Sequence, residues 1–191
     1  VWRVSAQATL AEPYFRRVRR TDAANAQVLA YYRELFAGEA GAAQLIQVLV
    51  QARRATRDAD LRFGLAEEVA TLAETQQGGA DRAIETWRSV IREDGYDPRA
   101  SRALERLYRA GAKWTALVEL LKDEIERIGD GPDAASTRIE KLLEVAGLYR
   151  DRLKLDTMAL ATLQRILDVD PWHEASLEAL ADTYAKAGRT N

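Results

Sequence analysis

The chain has 191 residues, 47% of them hydrophobic and 30% charged, which is the composition of an ordinary globular protein. Its formal net charge is −2 and its acids and bases are interleaved, so neither nucleic acid nor an acidic membrane surface is favoured as a partner. The absence of cysteine excludes disulfides and thiolate chemistry, and no apolar run approaches the roughly 20 residues of a membrane span.

Amphipathic helices are predicted along the whole chain, because apolar residues recur at spacings of three and four. Two clear stripes are Leu104, Leu107 and Tyr108, followed by Leu117, Leu121 and Ile125. Helix breakers separate such segments at Gly38/Gly41, Gly78-Gly79, Gly95, Gly111, Gly129 to Pro132 and Gly188. We therefore predict an all-α fold of about eleven helices and no strand.

Two Asp-Pro junctions predict helix starts. Asp97-Pro98 and Asp170-Pro171 each place an acceptor side chain at a helix N-cap and a proline, which lacks an N–H, at the first helical position. Pro132, after Gly131, occupies a corresponding place. Pro98 and Pro132 are separated by about 34 residues, which is a known helical-repeat period.

A longer period relates whole stretches of the chain. Leu45 corresponds to Leu117, and Ala83 to Ala159, after about 72 to 76 residues. The predicted helix-pair units are 1–23 (partial), 24–58, 59–97, 98–130, 131–170 and 171–191 (partial), together one repeat domain. Small residues are expected to be buried where helices approach closely, with bulky ones around them. The small set is Ala70, Ala83, Ala146, Ala159 and Ala181, and the bulky set is Trp87, Tyr149, Leu163 and Tyr184.

The end of the chain carries a recognisable repeat pattern. Ala159-x3-Leu163 precedes the stretch Q-R-I-L-D-V-D-P at Gln164–Pro171, and Leu177-x2-Leu180-Ala181-x2-Tyr184-x3-Gly188 follows it. The chain thereby resembles the tetratricopeptide repeat family over nearly its whole length, with departures near Gly111 and before residue 60. The resemblance implies a right-handed superhelical stack of antiparallel helix pairs. Pentatricopeptide repeats, which bind RNA, match less well because the net charge is acidic.

In tetratricopeptide repeats, the first helix of each unit lines a groove that holds a peptide or helix of a partner protein. Carried onto this chain, the groove positions are Arg102, Glu105 and Arg109, then Glu140, Leu143 and Gly147, then Ala175, Glu178 and Asp182. Charge along these positions changes from basic to acidic, so a partner with the reverse order would gain association rate and register.

No catalytic, metal or cofactor site is predicted. His173 is the only histidine and is interpreted as an exposed residue at a helix start, and zinc and Cys–His sites lack their ligands. The carboxylate pairs Glu67-Glu68, Asp123-Glu124 and Glu140/Glu144 are more typical of solvated helix faces than of acid–base catalysis.

Two further groups of residues are interpreted as surface or core residues without a binding role. Arg16, Arg17, Arg19 and Arg20 form a basic cluster that could contact phosphates but is more typical of a solvated helix face. Trp87 and Trp114 are expected in the core, whereas Trp172, after a helix-starting proline, is expected at the surface.

We therefore expect a non-enzymatic scaffold that binds another protein; the alternative is a regulatory or effector-sensing arm of a larger enzyme or transcription regulator. The chain begins at Val1 instead of Met, which predicts a segment of a longer polypeptide. The excess of Arg over Lys is typical of a GC-rich, bacterial genome. A cytoplasmic location is favoured, and a periplasmic one stays open if a signal lies upstream. The partner and the oligomeric state are not predicted.

Overall fold

The computed structural model describes residues 8–131 and 133–188, and within them it confirms the predicted all-α fold, with no strand. Ten α-helices are present there, instead of about eleven. They are α1 (Ala8–Thr21), α2 (Ala26–Leu35), α3 (Ala42–Ala55), α4 (Ala59–Glu74), α5 (Ala80–Asp94), α6 (Pro98–Ala110), α7 (Trp114–Arg127), α8 (Ala134–Gly147), α9 (Asp156–Val169) and α10 (Glu174–Gly188). A 3₁₀ turn spans Glu39–Gly41, and a π-helical segment, Leu148–Leu153, continues α8. None of these helices is long and apolar enough to span a bilayer.

The chain forms two compact bodies. The N-terminal body contains α1 to α5 and α6 as far as Leu107; the C-terminal body begins at Tyr108 and contains α7 to α10. In the N-terminal body, each helix from α1 to α4 packs against the next one in sequence, and in the C-terminal body each helix from α7 to α9 does.

Aromatic and aliphatic side chains form the core of the N-terminal body. Phe15 of α1 stacks on Tyr31 of α2 with ring centroids 4.2 Å apart, and Tyr32 continues the cluster edge-on at 5.1 Å from Tyr31. Offset and edge-to-face contacts of this kind add to the free energy gained by burying the rings. Trp87 of α5 is also buried, beside Phe63 of α4. The expectation that Trp87 belongs to the core is confirmed.

The C-terminal body is held by aliphatic side chains around small residues. Leu121 of α7, Leu142 of α8 and Ile166 of α9 are each at most 1% exposed. Ala146 and Ala159 are also buried, which allows a close approach of the helices that carry them. Their predicted burial is confirmed.

The helix starts recur along the chain. Helices α5 and α9 begin at Ala80 and Asp156, and helices α2, α6 and α10 begin at Ala26, Pro98 and Glu174. These starts are separated by about 72 to 76 residues, the interval seen in the sequence. The chain is therefore a repetitive all-helical array.

Ion pairs join several helices to the helix two places away. Between odd-numbered helices, Arg53 of α3 contacts Glu93 of α5 at 3.0 Å. Between even-numbered helices, Arg33 of α2 binds Glu68 of α4 at 2.6 Å. The partners in these pairs are 40 and 35 residues apart, so the contacts follow the length of one helix pair.

The start of α10 differs from the prediction. Pro98 is the first residue of α6, and the Asp97 carboxylate accepts a hydrogen bond from the backbone N–H of Arg99 at 2.7 Å, as expected for an N-cap. Pro171 is not helical, because residues 170 to 173 form a turn closed by a hydrogen bond from His173 N–H to the Asp170 carbonyl at 3.2 Å. Pro132 lies outside the described residues.

The predicted burial of Ala181 and Tyr184 is wrong. Both side chains are exposed, and the buried residues of α10 are instead Ser176, Leu180 and Thr183. The pattern correctly indicated a helix, but one face of this helix has no neighbour among the described residues, so the apolar residues on that face remain accessible.

Candidate functional site: a pocket at the end of α8

A pocket of about 360 Å³ lies in the C-terminal body where α8 passes into its π-helical extension. The last turn of α6, the start of α7 and the end of α8 with its extension all contribute to its walls. The lining residues are Arg109, Trp114, Glu144, Gly147, Leu148, Asp151 and Arg152. This volume is at the lower end of the range for sites that bind small molecules or single side chains of a partner.

The π-helical segment places the residues on one side of the pocket. Helix α8 ends at Gly147, and the next six residues, Leu148–Leu153, follow with the wider i to i+5 pattern. Such insertions occur often at functional sites because they rotate the following side chains out of the α-helical register. Here Leu148, Asp151 and Arg152 reach the pocket, and Lys154 in the left-handed conformation ends the segment.

Gly147 leaves the pocket open. A Cβ atom built on this glycine would meet no atom within 4 Å, and the backbone φ of −61° is an ordinary helical value. The glycine is therefore not required by the backbone conformation. What it provides is space beside α8, and a larger side chain would fill that space without a direct clash of its Cβ.

A cation–π contact forms the aromatic wall. The guanidinium carbon of Arg152 lies 4.9 Å from the ring centroid of Trp114, which is half-buried at the start of α7. Arg152 is exposed and forms no ion pair among the described residues. Stacking on the indole orients the guanidinium and leaves its N–H donors available to a ligand.

The other charged groups of the pocket are engaged with opposite charges. Arg109 donates to the Glu144 carboxylate, and the Asp151 carboxylate accepts from Arg150 at 2.9 Å. The Asp151 hydrogen bond is the main cause that raises the pKa of Arg150. Among the charged residues that line the pocket, Arg152 is therefore the one without a carboxylate partner in the described part of the chain. The pocket favours a ligand with an anionic group, which would bind to Arg152.

The predicted groove residues fall in different places. Arg109 and Gly147 both line the pocket. Arg102 and Glu105 lie in the N-terminal body, where Arg102 is exposed and its Nε donates to the Pro98 carbonyl at 3.1 Å.

The remaining predicted groove positions do not line the pocket. On α8, Glu140 is exposed and Leu143 is half-buried. Ala175, Glu178 and Asp182 are exposed on α10. The structure therefore brings together only part of the predicted groove set.

Five of the seven pocket residues were not predicted as groove positions: Trp114, Glu144, Leu148, Asp151 and Arg152. Trp114 was expected in the core and is instead half-buried. The available signal was the stretch Leu148–Leu153, which carries four charged or aromatic residues directly after Gly147, the last residue of α8. Periodicity alone does not reveal which of these side chains turns toward α7.

In each of the three carboxylate pairs considered for acid–base chemistry, one member is engaged in a contact between helices. Glu68 binds Arg33, and Glu124, which is only 9% exposed, accepts from Lys141 at 2.6 Å. Among the residues that the structure describes, no group of three or more His, Asp or Glu side chains could hold a metal ion.

His173 and the basic cluster have local roles. His173 is half-buried before α10, and its Nδ1 lies 2.9 Å from the Ser176 hydroxyl. In the basic cluster, Arg16 bonds Glu12 at 2.9 Å, and Arg19 lies over the Tyr32 ring at 4.9 Å. These contacts fix two of the four arginines on the surface of α1.

No protein-family model matches the chain, and no curated protein does either.

Proposed function

We propose that this chain is a non-enzymatic, tetratricopeptide-like interaction module that binds a segment of a partner protein. The recurring helix starts and the ion pairs between several helices two places apart support the repeat assignment. Repeat arrays of this kind present side chains from successive helices on a continuous surface, which is suited to an extended or helical segment of another protein.

The observation that carries the proposal is the Arg152–Trp114 contact in the pocket. Arg152 presents a guanidinium fixed on an aromatic ring, and the pocket beside it has room for a side chain because Gly147 contributes none. An Asp or Glu of the partner would bind Arg152 through charge-assisted hydrogen bonds, and its neighbouring apolar residue would pack on Trp114 and Leu148. The proposed ligand is therefore an acidic peptide segment with an adjacent apolar or aromatic residue.

Selection from a displayed peptide library, with the 191-residue chain as bait, tests this proposal. Affinities of the enriched peptides are then measured by fluorescence anisotropy for the wild type and two variants. Gly147→Phe should fill the pocket and weaken binding by about tenfold or more. Gly64→Phe is the matched control, because Gly64 is an exposed glycine within α4 with equally open space around its Cβ. Equal binding by both variants would exclude the pocket.

Charge reversal tests the chemical class of the ligand. Arg152→Glu should weaken the selected peptides, and replacing their acidic residue with Gln should make the wild type and the variant bind equally. Arg152 is exposed, so the fold should tolerate the change. If the enriched peptides lack an acidic residue, or if they bind Arg152→Glu with unchanged affinity, the pocket does not bind an anionic side chain.

The predicted groove positions on α6 are tested separately. The double variant Arg102→Glu with Glu105→Arg should weaken a partner segment that extends along α6. Its free energy of unfolding should change little, since Arg102 is exposed and Glu105 is only half-buried. Undiminished affinity would restrict the interface to the pocket and exclude the groove assignment for these two residues.

A further inference from the structure

An apolar stripe on α10 is exposed. Leu177, Ala181 and Tyr184 follow the i, i+4, i+7 spacing that places them on one face of the helix. Leu177 is 42% exposed and Tyr184 is 55% exposed, and Ala181 is exposed between them. A different face of α10 carries the buried residues, and α10 packs on α9 within the C-terminal body.

The same positions are covered in another helix of the chain. Helix α6 begins at Pro98 and α10 at Glu174, so that Ser101 and Tyr108 correspond to Leu177 and Tyr184. Ser101 is 0% exposed and Tyr108 is 6% exposed. Glu105, which corresponds to Ala181, is half-buried. The exposed stripe of α10 therefore occupies a place that is mostly covered in α6, and it has the character of a packing surface.

Helix α1, in the N-terminal body, also has an exposed apolar face. Leu10 is 74% exposed and Tyr14 is 67% exposed, whereas Phe15 on another side of the same helix is buried against α2. Arg17 continues the face at the i+7 position, and Arg20 lies beside it; both are exposed and form no ion pair among the described residues. This face is apolar in its first half and basic in its second.

We propose that the α10 stripe of one copy of the chain binds the exposed face of α1 of a second copy. The shapes of the two faces are complementary, because the large side chain of Tyr14 would pack over the small Ala181. Such a contact joins different surfaces of the two copies, so it leaves one α1 and one α10 free and can add further copies.

The charges beside the α10 stripe favour α1 of the second copy as the helix that binds there. Glu174 and Glu178 are exposed along one edge of the stripe and form no ion pair within the described part of the chain. A second α10 packed on this stripe with two-fold symmetry would bring two acidic edges together, which costs free energy. The face of α1 supplies arginines instead.

The spacing of the charges fixes the direction of the two helices. If Tyr14 lies over Ala181 and the helices are antiparallel, Arg17 is three residues beyond Tyr14 and meets Glu178, which is three residues before Ala181. Arg20 then lies near the start of α10, where Glu174 is the first residue. A parallel arrangement would carry both arginines away from these carboxylates.

A single helix face buries less than the roughly 800 Å² per partner of a standard interface, so the association should be weak and reversible. The inference does not depend on the proposed peptide-binding function, because neither α1 nor α10 contributes a residue to the pocket.

Sedimentation velocity over a wide concentration range measures the association. The wild type should form dimers and larger species as concentration rises, and Ala181→Arg should raise the dissociation constant by about tenfold or more. Ala175→Arg is the matched control, since Ala175 is an exposed alanine on another face of the same helix. A monomeric wild type at all concentrations, or equal effects of the two substitutions, would overturn the proposal.

Mixing two charge variants tests the pairing of α1 with α10. Arg17→Glu and Glu178→Arg should each weaken self-association, because each places like charges opposite each other. An equimolar mixture of the two variants should associate again, since the new glutamate of one copy meets the new arginine of the other. If Arg17→Glu has no effect, or if the mixture stays monomeric, α1 is not the occupant.

A disulfide trap tests the register. The chain has no cysteine, so Tyr14→Cys in one copy and Ala181→Cys in another can form only disulfides between copies. Under mild oxidation, the mixture of these two variants should give a covalent dimer much faster than a mixture of Tyr14→Cys with Ala175→Cys. Equal rates, or faster trapping of Ala181→Cys alone, would contradict the placement of Tyr14 over Ala181.

Discussion

Arg53 and Asp94 join the ends of two helices that are not neighbours in sequence. Nη2 of Arg53, in the last turn of α3, donates to Oδ2 of Asp94, the last residue of α5, at 2.6 Å. Arg53 is only 7% exposed, and Arg62 of α4 binds the same Asp94 carboxylate at 2.7 Å. Asp94 therefore connects three consecutive helices of the N-terminal body.

Asp94→Asn should reduce the free energy of unfolding by about 1–3 kcal/mol. The substitution removes the negative charge shared by two arginines, one of which is buried, and leaves them with weaker acceptors. Urea denaturation followed by circular dichroism measures the change. Glu85→Gln is the control, because the side chain of Glu85 is 60% exposed and its contacts with arginine are 3.5 Å or longer; it should change stability by less than about 0.5 kcal/mol. Equal effects would mean that Asp94 does not anchor the three helices.

Ala159→Leu should destabilise the C-terminal body by about 1–3 kcal/mol, because Ala159 is 1% exposed and extra methyl groups would overpack the helix contact. Arg165→Ala on the same helix should cost less than about 0.5 kcal/mol, since its contact with Glu126 is 3.5 Å long and both side chains are at least half exposed. Thermal unfolding of the two variants compares them directly. A larger loss for Arg165→Ala would contradict the close packing at Ala159.

Trp87→Phe should cost much less than Trp87→Ala. The indole Nε1 of Trp87 is buried and has no hydrogen-bond partner among the described residues. Phenylalanine keeps most of the apolar contact and removes this donor, so we expect a net change within about 1 kcal/mol. Alanine leaves a cavity and should cost about 3–5 kcal/mol. A cost for Trp87→Phe close to that of alanine, measured by urea denaturation, would show that the buried N–H is satisfied in solution.

Acid should weaken the pairing of α4 with α6. The hydrogen bond from Arg106 to Glu74 lowers the pKa of the Glu74 carboxyl below its ordinary value of 4.5, so the ionised form is stabilised in the folded state. A lowered pKa in the folded state contributes stability above the ordinary pKa, and this contribution is lost as pH falls through the lowered value.

Glu74→Gln and Arg106→Gln should therefore each reduce the dependence of unfolding free energy on pH below about 4.5. Combining the two substitutions should reduce it no further, because both remove the same interaction. Urea denaturation of the wild type and the three variants at several acidic pH values provides the comparison. An additive effect in the double variant would show that the two residues act through different partners.

The fold class, the burial of several small residues and one helix cap could be predicted from the amino-acid sequence. Spacings of three and four indicated helices because each helix must bury one face, and Ala146 and Ala159 are buried as that pattern requires. Asp97 caps α6 because an N-cap depends only on residues next to each other in sequence. Asp170-Pro171 is the same dipeptide as Asp97-Pro98, but it forms a turn before α10. The Asp-Pro pattern therefore did not predict the first residue of α10.

The pocket and the exposed stripe could not be predicted from the sequence, because both depend on contacts between separate elements. Arg109, Trp114 and Arg152 lie on three separate elements, and their convergence depends on how α8 continues into a π-helical segment. Tyr108 and Tyr184 occupy equivalent places in their helices, yet one is 6% exposed and the other 55%. Periodicity indicates which face of a helix can be buried, whereas burial itself requires a neighbouring element to cover that face.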